Sequence, residues 1–313
     1  MHGKNLAAID LGTNSCRISI GDRSGNLIYR EAVTTKLGEG LVQNMCFTKE
    51  AFDRGISCFM HYAKVMEKHD VGCYRAIATA SCRMAENGSE FVKEVKEKSG
   101  IELDIISPLE EATLTLKGAI LNADKNKPYV LVYDLGGGST EITLATNSEK
   151  PQIIHTISIP WGARNSSEVF ELKEYSQANA EKLADVVRQQ VAEFMAAASF
   201  NEYRQNCCCI ATSSTPLRLV SMVKNFGSYD RNVADGVRVT TKEIDAEIAK
   251  VFNQTTENMA QNPYIGESRA DIFVAACTIF QTIYQTLQIK ELTASLKGAQ
   301  EAILEELKKK WQN

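Results

Sequence analysis

The feature that most constrains how this chain can fold is a segment that occurs twice. Residues 6–15 read LAAIDLGTNS, and residues 130–139 read VLVYDLGGGS. Each copy is an apolar run that ends in Asp-Leu and is followed by a turn rich in Gly, Ser or Thr. A short apolar run bounded by turn residues indicates a buried strand. Each copy therefore predicts a strand, a tight turn and a second strand, the second strands lying at residues 16–20 and 141–145.

A second repeat follows each copy in the same order. Residues 77–81 read IATAS and residues 210–214 read IATSS, each at the end of a short apolar run. The first repeat is offset by 124 residues, from Asp10 to Asp134, and the second, between its initial isoleucines, by 133. Two repeats in one order at similar offsets predict an internal duplication of one α/β unit, with the turns of the two halves facing each other.

Composition and charge exclude several classes of protein. Hydrophobic residues make up 44% of the chain and charged residues 24%, which is ordinary for a globular protein. No apolar run approaches the roughly 18 residues of a membrane span, and the N-terminal residues leave no room for a signal peptide, so we expect a cytoplasmic protein. The net charge of −4 argues against a broad nucleic-acid surface. The nine cysteines lack CxxC or Cys/His spacing, which predicts reduced thiols without a zinc site.

Helical patterns fill the stretches between the repeats. Apolar stripes predict helices over residues 48–68, 176–198, 242–258, 268–287 and 296–310. The polar segment at residues 122–128 contains a proline and interrupts the pattern, so it is the expected crossing between the halves. We therefore predict a first lobe of residues 1–124, completed by a C-terminal helix over residues 297–313, and a second lobe of residues 125–296.

The repeated turns have the chemistry of a phosphate-binding site. A glycine-rich turn lets several backbone N–H groups converge on one anion, and neighbouring hydroxyls add donors. Aspartates at the strand ends can hold a hydrated Mg²⁺ that neutralises phosphate oxygens. The predicted phosphate-binding residues of the turns are Gly12, Thr13, Asn14 and Ser15 in the first copy and Gly136, Gly137, Gly138, Ser139 and Thr140 in the second. The predicted metal ligands at the strand ends are Asp10 and Asp134.

The ordered set of motifs resembles the exopolyphosphatase/guanosine pentaphosphate phosphohydrolase family, a branch of the actin-like superfamily. The resemblance is carried by residues 8–17, 36–41, 78–83, 106–112, 134–141 and 267–271. It implies an α/β protein with a duplicated actin-like (ribonuclease H-like) fold, whose two lobes flank an interdomain cleft.

The resemblance also implies roles for further residues. Ser107 and Pro108 begin a helix, and Glu110, three residues after the cap, is suited to reach back to the cap N–H. Glu111 has no such structural role, and it matches the carboxylate proposed to activate water in the family. By position in the family motifs, Arg17, Arg83 and Arg269 would contact phosphate and Glu141 would lie near the metal ion. The alternative for Arg17 and Arg83 is a surface salt bridge. The alternative for Arg269 is a structural ion pair with Glu267 or Asp271.

The implied activity is Mg²⁺-dependent hydrolysis, with Mn²⁺ as an alternative metal. The substrate would be inorganic polyphosphate, from which terminal orthophosphate is released, or guanosine pentaphosphate, from which the 5′-phosphate is released to leave the tetraphosphate. Because the chain has 313 residues and longer relatives carry further domains, we expect short polyphosphates. Neither nucleic-acid nor membrane partners are expected, and a homodimer stays open.

Two other functions are compatible with the same residues. The first is a kinase or ATPase of the same superfold, although the sequence ATSSTPL at residues 211–217 lacks the glycine-rich adenosine turn such proteins usually have. The second is a regulator that binds an alarmone or polyphosphate without turnover. It is favoured by departures from the family pattern at Pro108, Thr113 and Gln300, the last two of which replace basic residues.

Overall fold

The computed structural model describes residues 3–312, and in them the chain forms two compact units. The first unit runs to Gly118 and resumes at Ala299, and the second comprises Ala119–Gly298. The limits predicted from the sequence, after residues 124 and 296, lie a few residues from these. Each unit contains one mixed sheet with helices.

The first unit is built on a five-stranded sheet in the order β3-β2-β1-β4-β5. β1, β2 and β3 are antiparallel neighbours, whereas β4 is parallel to β1 and β5 is parallel to β4. The strands are β1 (Asn5–Leu11), β2 (Ser15–Gly21), β3 (Leu27–Thr34), β4 (Val71–Ala78) and β5 (Leu103–Ile105). The helices are α1 (Leu41–Asn44), α2 (Lys49–Lys68), α3 (Ala80–Met84), α4 (Gly88–Ser99) and α5 (Pro108–Ala119), followed by a 3₁₀ turn at Ile120–Asn122.

The second unit is built on a six-stranded sheet in the order β10-β11-β9-β6-β7-β8. Its strands are β6 (Tyr129–Leu135), β7 (Thr140–Thr146), β8 (Ile153–Ile159), β9 (Cys207–Thr212), β10 (Arg238–Thr240) and β11 (Glu291–Ser295). Its helices are α6 (Ala163–Val169), α7 (Gln177–Ala197), α8 (Phe200–Tyr203), α9 (Ser214–Val223), α10 (Arg231–Ala234), α11 (Thr241–Val251), α12 (Thr256–Gln261), α13 (Glu267–Ala270) and α14 (Phe273–Thr286), with a 3₁₀ turn at Arg204–Asn206. Helix α15 (Ala299–Gln312) follows and belongs to the first unit.

The two sheets repeat one topology. Five strands of the second sheet, in the order β8-β7-β6-β9-β11, match β3-β2-β1-β4-β5 in both order and direction. β10 is an additional antiparallel edge strand beside β11. The predicted duplicated actin-like α/β fold is therefore confirmed, including the strand, turn and strand of each repeat.

Strand β1 is buried on both faces. Because side chains alternate along a strand, Ile9 packs into the cluster beneath α2 and α4, whereas Ala8 packs with Ile303 of α15 on the opposite face. Asp10 is two residues beyond Ala8 and so lies on the same face as α15. In the second unit, β6 similarly contributes Tyr133 to the core beneath α7 and α14.

Two predicted helices are interrupted in the structure, so their prediction as single helices was wrong. The helix expected over residues 242–258 is divided into α11 and α12, because the Thr255 hydroxyl accepts the Asn258 N–H and begins a new helix. The helix expected over residues 268–287 is divided into α13 and α14 at Asp271–Ile272. By contrast, α2 begins where predicted, with the Thr48 hydroxyl accepting the Ala51 N–H.

Two further expectations bear on the class of protein. Within residues 3–312, no helix combines the length and the apolar character that crossing a membrane requires. All nine cysteines are free thiols, and five of them are buried: Cys16, Cys58, Cys82, Cys209 and Cys277. The cysteines therefore act as small side chains that pack in or near the cores.

Candidate functional site

The two repeated turns are closed by the same hydrogen bond. Directly after β1, the Gly12 N–H donates to the Ser15 carbonyl oxygen over 3.0 Å. Directly after β6, the Gly136 N–H donates to the Ser139 carbonyl oxygen, also over 3.0 Å. The predicted turns are thus two copies of one hairpin, each with two residues at its tip.

The glycines that begin these hairpins are needed for space rather than for an unusual backbone angle. No residue from Gly12 to Ser15 or from Gly136 to Ser139 has a positive φ. A Cβ atom at Gly136 would lie 3.0 Å from the Ser139 carbonyl oxygen, closer than ordinary van der Waals contact. A side chain there would push open the hydrogen bond that closes the turn.

The first turn is backed by the segment that follows β3. The Thr13 carbonyl accepts the Gly38 N–H over 2.8 Å, and the Asn14 carbonyl accepts the Lys36 N–H over 3.0 Å. A Cβ atom at Gly38 would lie only 2.1 Å from the Thr13 Cγ2 atom, so glycine permits this close approach. Thr13, Asn14 and Ser15 are all buried.

The second turn is backed by α6, in the corresponding place after β8. The Gly136 carbonyl accepts the Ala163 N–H over 2.9 Å, and the Gly137 carbonyl accepts the Arg164 N–H over 2.7 Å. The Asn165 side-chain amide donates to the Gly138 carbonyl over 3.0 Å. All three glycine carbonyls of the turn are therefore held against α6.

This backing fixes the direction of the turn's N–H groups. In a trans peptide the N–H of one residue points opposite to the carbonyl of the residue before it. The described chain has no cis peptide bond, so the N–H groups of Gly137, Gly138 and Ser139 point away from α6. N–H donors that converge form an anion-binding concavity. The three N–H groups on this side of the turn are therefore candidates for contact with an anion.

Residues of α6 that hold this turn were missed in the sequence analysis. Asn165 is buried, and its amide also donates to the Pro160 carbonyl over 2.9 Å. A Cβ atom at Gly162 would lie 2.6 Å from the backbone of Gly137 and Gly138. The available signal was the sequence WGARN at residues 161–165, where polar side chains follow shortly after a predominantly apolar strand.

Asp10 ends β1 as a largely buried carboxylate. Its Cα partner on β2 is Arg17, and the Arg17 Nη1 atom lies 3.8 Å from the Asp10 Oδ2 atom. Burial raises the pKa of the Asp10 carboxyl, the Arg17 guanidinium opposes that rise, and the Glu301 carboxylate adds to it. The net pKa lies above the ordinary value, so ionised Asp10 is under-stabilised by its surroundings and would gain from a nearby cation.

Glu111 and Arg83, predicted separately, lie together at the same edge of the first sheet. The Arg83 Nη1 atom is 3.0 Å from the Glu111 Oε2 atom and also donates to the Ile106 carbonyl over 2.9 Å. The Glu111 side chain is 13% exposed. Arg83 therefore fixes the orientation of this carboxylate just after the C-terminal end of β5.

The neighbouring Glu110 differs from Glu111 in its contacts. The Ser107 hydroxyl accepts the Glu110 N–H over 3.2 Å, as expected of an N-cap. The Glu110 side chain forms an ion pair with Arg75 and is 42% exposed, instead of returning to the cap N–H as predicted. Glu110 is thus a helix-surface residue, and Glu111 is the acid directed toward its own unit's interior.

The second unit has two carboxylates where the first has an ion pair. Asp134 of β6 lies directly opposite Glu141 of β7, and the Ser158 hydroxyl donates to the Glu141 Oε1 atom over 2.8 Å. Glu141 is buried. Within residues 3–312 no group of three or more His, Cys, Asp or Glu side chains is arranged to hold a metal ion. Two carboxylates still fit Mg²⁺, which keeps several water ligands and shares phosphate oxygens.

One other predicted phosphate ligand has a local hydrogen-bond partner. The Thr140 hydroxyl, buried in β7, donates to the Trp161 carbonyl over 2.8 Å. Asp271, named as a structural partner for Arg269, forms a two-point pair with the buried Arg164 at 2.6 and 3.3 Å. Arg164 therefore holds the start of α6 to the segment between α13 and α14, which directly follows the helix that contains Arg269.

An unexpected backbone conformation follows β9. Ser213 has φ 92° and ψ −174°, a region occupied almost only by glycine. Its hydroxyl oxygen is buried, and within the described part of the chain it has no hydrogen-bond partner. The preceding Thr212 is the Cα partner of Asp134. The segment that lacks glycine in sequence thus still adopts a glycine-like turn beside Asp134.

The geometry of these turns agrees with similarity to known proteins. A family model described as the Ppx/GppA phosphatase family matches residues 18–310. The bifunctional 3-dehydroquinate synthase/phosphatase of Fusobacterium nucleatum is 28% identical over 293 residues, which cover 88% of this chain and 42% of that protein. The guanosine-5′-triphosphate,3′-diphosphate pyrophosphatase of Aeromonas salmonicida is 25% identical over 312 residues, which cover 97% of this chain and 60% of that protein. The chain thus spans less than two thirds of these relatives' length.

A solved structure shares the whole fold. The crystal structure of an exopolyphosphatase-like protein aligns with a TM-score of 0.89 over 100% of both chains, at 23% sequence identity. This similarity extends through both units and supports the topology described above.

Proposed function

The chain belongs to the Ppx/GppA phosphatase family, and we propose that it hydrolyses the terminal phosphoanhydride bond of inorganic polyphosphate and releases orthophosphate. The proposal rests first on the second turn, whose glycine carbonyls are all held by α6. Guanosine pentaphosphate, which presents the same terminal anhydride at its 5′ end, is an overlapping substrate. We propose short polyphosphates as the preferred chains.

In the proposed mechanism, the two turns bind the transferred phosphate. Phosphoryl transfer requires mainly positioning and neutralisation of charge on the three phosphate oxygens. The N–H groups of Gly137, Gly138 and Ser139 are fixed before substrate arrives, so they lose little conformational freedom on binding. The remaining proposed phosphate contacts are those of Gly12, Thr13, Asn14, Ser15, Arg17, Arg83, Gly136, Thr140 and Arg269.

A metal ion is proposed at the carboxylates. Glu141 is buried and lies directly opposite Asp134, so the two carboxylates are near enough to share one cation. Their oxygen atoms suit Mg²⁺, or Mn²⁺ as an alternative, and Asp10 is the corresponding ligand of the first unit. When bound, the ion would supply positive charge to the phosphate oxygens.

Glu111 is the proposed general base. Its carboxylate would accept a proton from the attacking water, and Arg83, at 3.0 Å, would keep it in one orientation. Arg83 is a positioning residue in this scheme as well as a phosphate contact. A single carboxylate held in this way is the minimum that water activation needs.

A regulator that binds phosphate without turnover is the second candidate. The observation that favours it is Gln300, which stands where the family has a basic residue. Gln300 is buried, its amide donates to the Ala8 carbonyl and its oxygen accepts the Ser19 hydroxyl, both over 3.1 Å. It therefore supplies structural contacts and no positive charge.

Orthophosphate release with Mg²⁺ tests the proposal. The substrates are tripolyphosphate, long-chain polyphosphate and guanosine pentaphosphate, and the variants are Glu111→Gln and Glu110→Gln. Loss of a general base lowers the rate by at least about 10²-fold, so Glu111→Gln should fall by that factor. Glu110→Gln removes the adjacent, surface-paired carboxylate and should keep wild-type turnover.

Three results would contradict parts of the proposal. Wild-type binding of polyphosphate without phosphate release would favour the regulator. Equal turnover of Glu111→Gln and Glu110→Gln would remove Glu111 from the reaction. Turnover of long chains equal to that of tripolyphosphate would exclude a preference for short ones.

A further inference from the structure

The second unit contains a pocket at the end of its sheet opposite the phosphate-binding turn. It has a volume of about 400 Å³ and lies where β9 and β11 begin, with the 3₁₀ turn at Arg204–Asn206 and the segment before β6 at its sides. We call it the N-edge pocket, since it lies at the N-terminal ends of these parallel strands. Its charged lining residues are Lys127, Arg204, Arg238, Lys290, Asp124 and Glu291.

The N-edge pocket is positively charged on a chain whose net charge is −4. Four cationic and two anionic side chains line it, which leaves a formal charge of +2. Both carboxylates face one of these cations. Arg238 lies 3.6 Å from the Asp124 carboxylate and pairs also with Glu291. Arg238 and the two carboxylates together carry −1, and Lys127, Arg204 and Lys290 carry the +3 that leaves the excess of +2.

Two of those cations are held in place by neutral groups. The Lys127 ammonium donates to the Gln205 carbonyl over 2.8 Å, and the Arg204 guanidinium donates to the Gln288 side-chain oxygen over 2.6 Å. Such acceptors orient a cation without cancelling its charge, so both groups keep donors for an anion. Lys127 and Arg204 come from different segments and would contact an anion from two directions.

We propose that the N-edge pocket binds pyrophosphate or a short inorganic polyphosphate. A multiply charged oxyanion matches the excess of +2 and the several N–H donors of Lys127, Arg204 and Lys290. No aromatic side chain is among the described lining residues, so a nucleotide base would have no stacking partner. Inorganic phosphate chains therefore fit better than nucleotides with the same charge.

The pocket is separate from the turn that binds substrate in the proposed function. β6 has seven residues and rises roughly 3.3 Å per residue, which puts its two ends about 20 Å apart. The pocket adjoins the beginning of this strand, and the turn follows its end. One pyrophosphate cannot bridge the two, so the pocket is a second site and goes beyond the proposed function.

Two of the thiols that line the pocket remain protonated. Burial raises the pKa of Cys207 and of Cys208, which both line the pocket. Neutral thiols do not repel an anion, and they are poor metal ligands or nucleophiles. These thiols are thus compatible with an anion and do not favour a thiolate–metal site.

Isothermal titration calorimetry with pyrophosphate, in EDTA and low salt, tests the proposal. The pocket variant is Lys127→Gln/Arg204→Gln. The matched control is Lys182→Gln/Arg188→Gln, which removes two exposed cations from α7. The pocket variant should lose at least about tenfold in pyrophosphate affinity, because each charge-assisted contact contributes substantially, whereas the control should bind as wild type does. Lys290→Gln, an exposed side chain on the rim, provides a milder second variant and should weaken binding measurably.

Several outcomes would overturn the proposal. Equal pyrophosphate affinity in wild type, the pocket variant and Lys290→Gln would place all binding elsewhere. Guanosine diphosphate binding more than about tenfold tighter than pyrophosphate would identify a nucleotide site instead. Phosphate release from tripolyphosphate, assayed in parallel, separates the two proposals, because it tests the turns and Glu111 independently of the pocket titration.

Discussion

Glu141 lies directly opposite Asp134 where β7 pairs with β6. At the same place in the first hairpin, Arg17 lies opposite Asp10. The duplicated turns therefore share a backbone but differ in charge. The second copy presents two carboxylates and the first an acid with a base, so the metal ion that we propose would bind more strongly at the second copy.

We predict that the free energy of unfolding of Glu141→Gln depends little on Mg²⁺. Without metal, replacing one of two opposed carboxylates should raise the free energy of unfolding by up to about 1 kcal/mol. A ligand that binds only the folded state raises the free energy of unfolding by about 2.7 kcal/mol when its concentration is a hundredfold above its Kd. The variant should largely lose this increase. Thermal unfolding with and without Mg²⁺ measures both effects. Glu149→Gln, an exposed residue, is the control, and an unchanged Mg²⁺ response in Glu141→Gln would argue against this site.

We predict a distinctive pH dependence of stability from Asp10. Its folded-state pKa is raised above 3.8, so the folded protein binds the proton more tightly than the unfolded chain. The free energy of unfolding contributed by Asp10 therefore falls as pH rises from 3.8 through the raised value. Asp10→Asn should remove this decline, as measured by urea unfolding between pH 4 and 7.

Asp22 provides a control of opposite sign. Hydrogen bonds from the Asn26 side chain and backbone and from the Ser24 backbone lower the pKa of the Asp22 carboxyl. Its contribution to stability is present above pH 3.8 and is lost as pH falls through the lowered value. Asp22→Asn should thus reduce stability at neutral pH. If the free energy of unfolding depends on pH in the same way for wild type and Asp10→Asn, the raised pKa that we assign to Asp10 is wrong.

We predict that Ser213→Gly is more stable than Ser213→Ala by about 1 kcal/mol. The φ of 92° is strained for any residue with a Cβ atom, and glycine removes that strain. Both variants remove the buried hydroxyl, so their difference isolates the backbone term. At Ser214, the first residue of α9, the order should reverse, because alanine favours a helix more than glycine does. Chemical denaturation of the four variants provides the measurement.

We predict that Gly162→Ala weakens substrate binding more than it alters folding rate or secondary structure. The new Cβ atom would lie 2.6 Å from the backbone of Gly137 and Gly138, and overpacking of this kind costs about 1–3 kcal/mol. KM for tripolyphosphate should rise. Gly227→Ala, where nothing lies within 4 Å of the added atom, should leave KM unchanged.

The parts of the fold that depend on local pattern could be predicted from the sequence. The hairpins follow from apolar strands and turn residues that are adjacent in the chain, and their duplication follows from the repeat. The support of Gly138 by Asn165 could not be predicted, because it joins residues separated by a whole hairpin and depends on where α6 packs. Similarly, the break at Thr255 results from one local cap that overrides an apolar stripe.

The residues of the candidate site could be predicted better than their contacts and backbone conformations. Glu111 and Arg83 were each identified by resemblance, but their 3.0 Å contact requires β4 and β5 to lie side by side. The conformation of Ser213 could not be inferred, since serine carries no sequence signal for a positive φ. Whether these residues perform the chemistry stays a prediction.

Helix α15 has a consequence for how the protein is made. Its Ile303 and Leu307 complete the hydrophobic cluster that contains Leu6 and Ala8 of β1, although the entire second unit lies between them in the chain. On a ribosome, the continuous segment Ala119–Gly298 can close its own core while β1 still exposes one apolar face. Strand β1 is thus synthesised before the second unit but covered by α15 only after it, and that interval is when a chaperone would have most to bind.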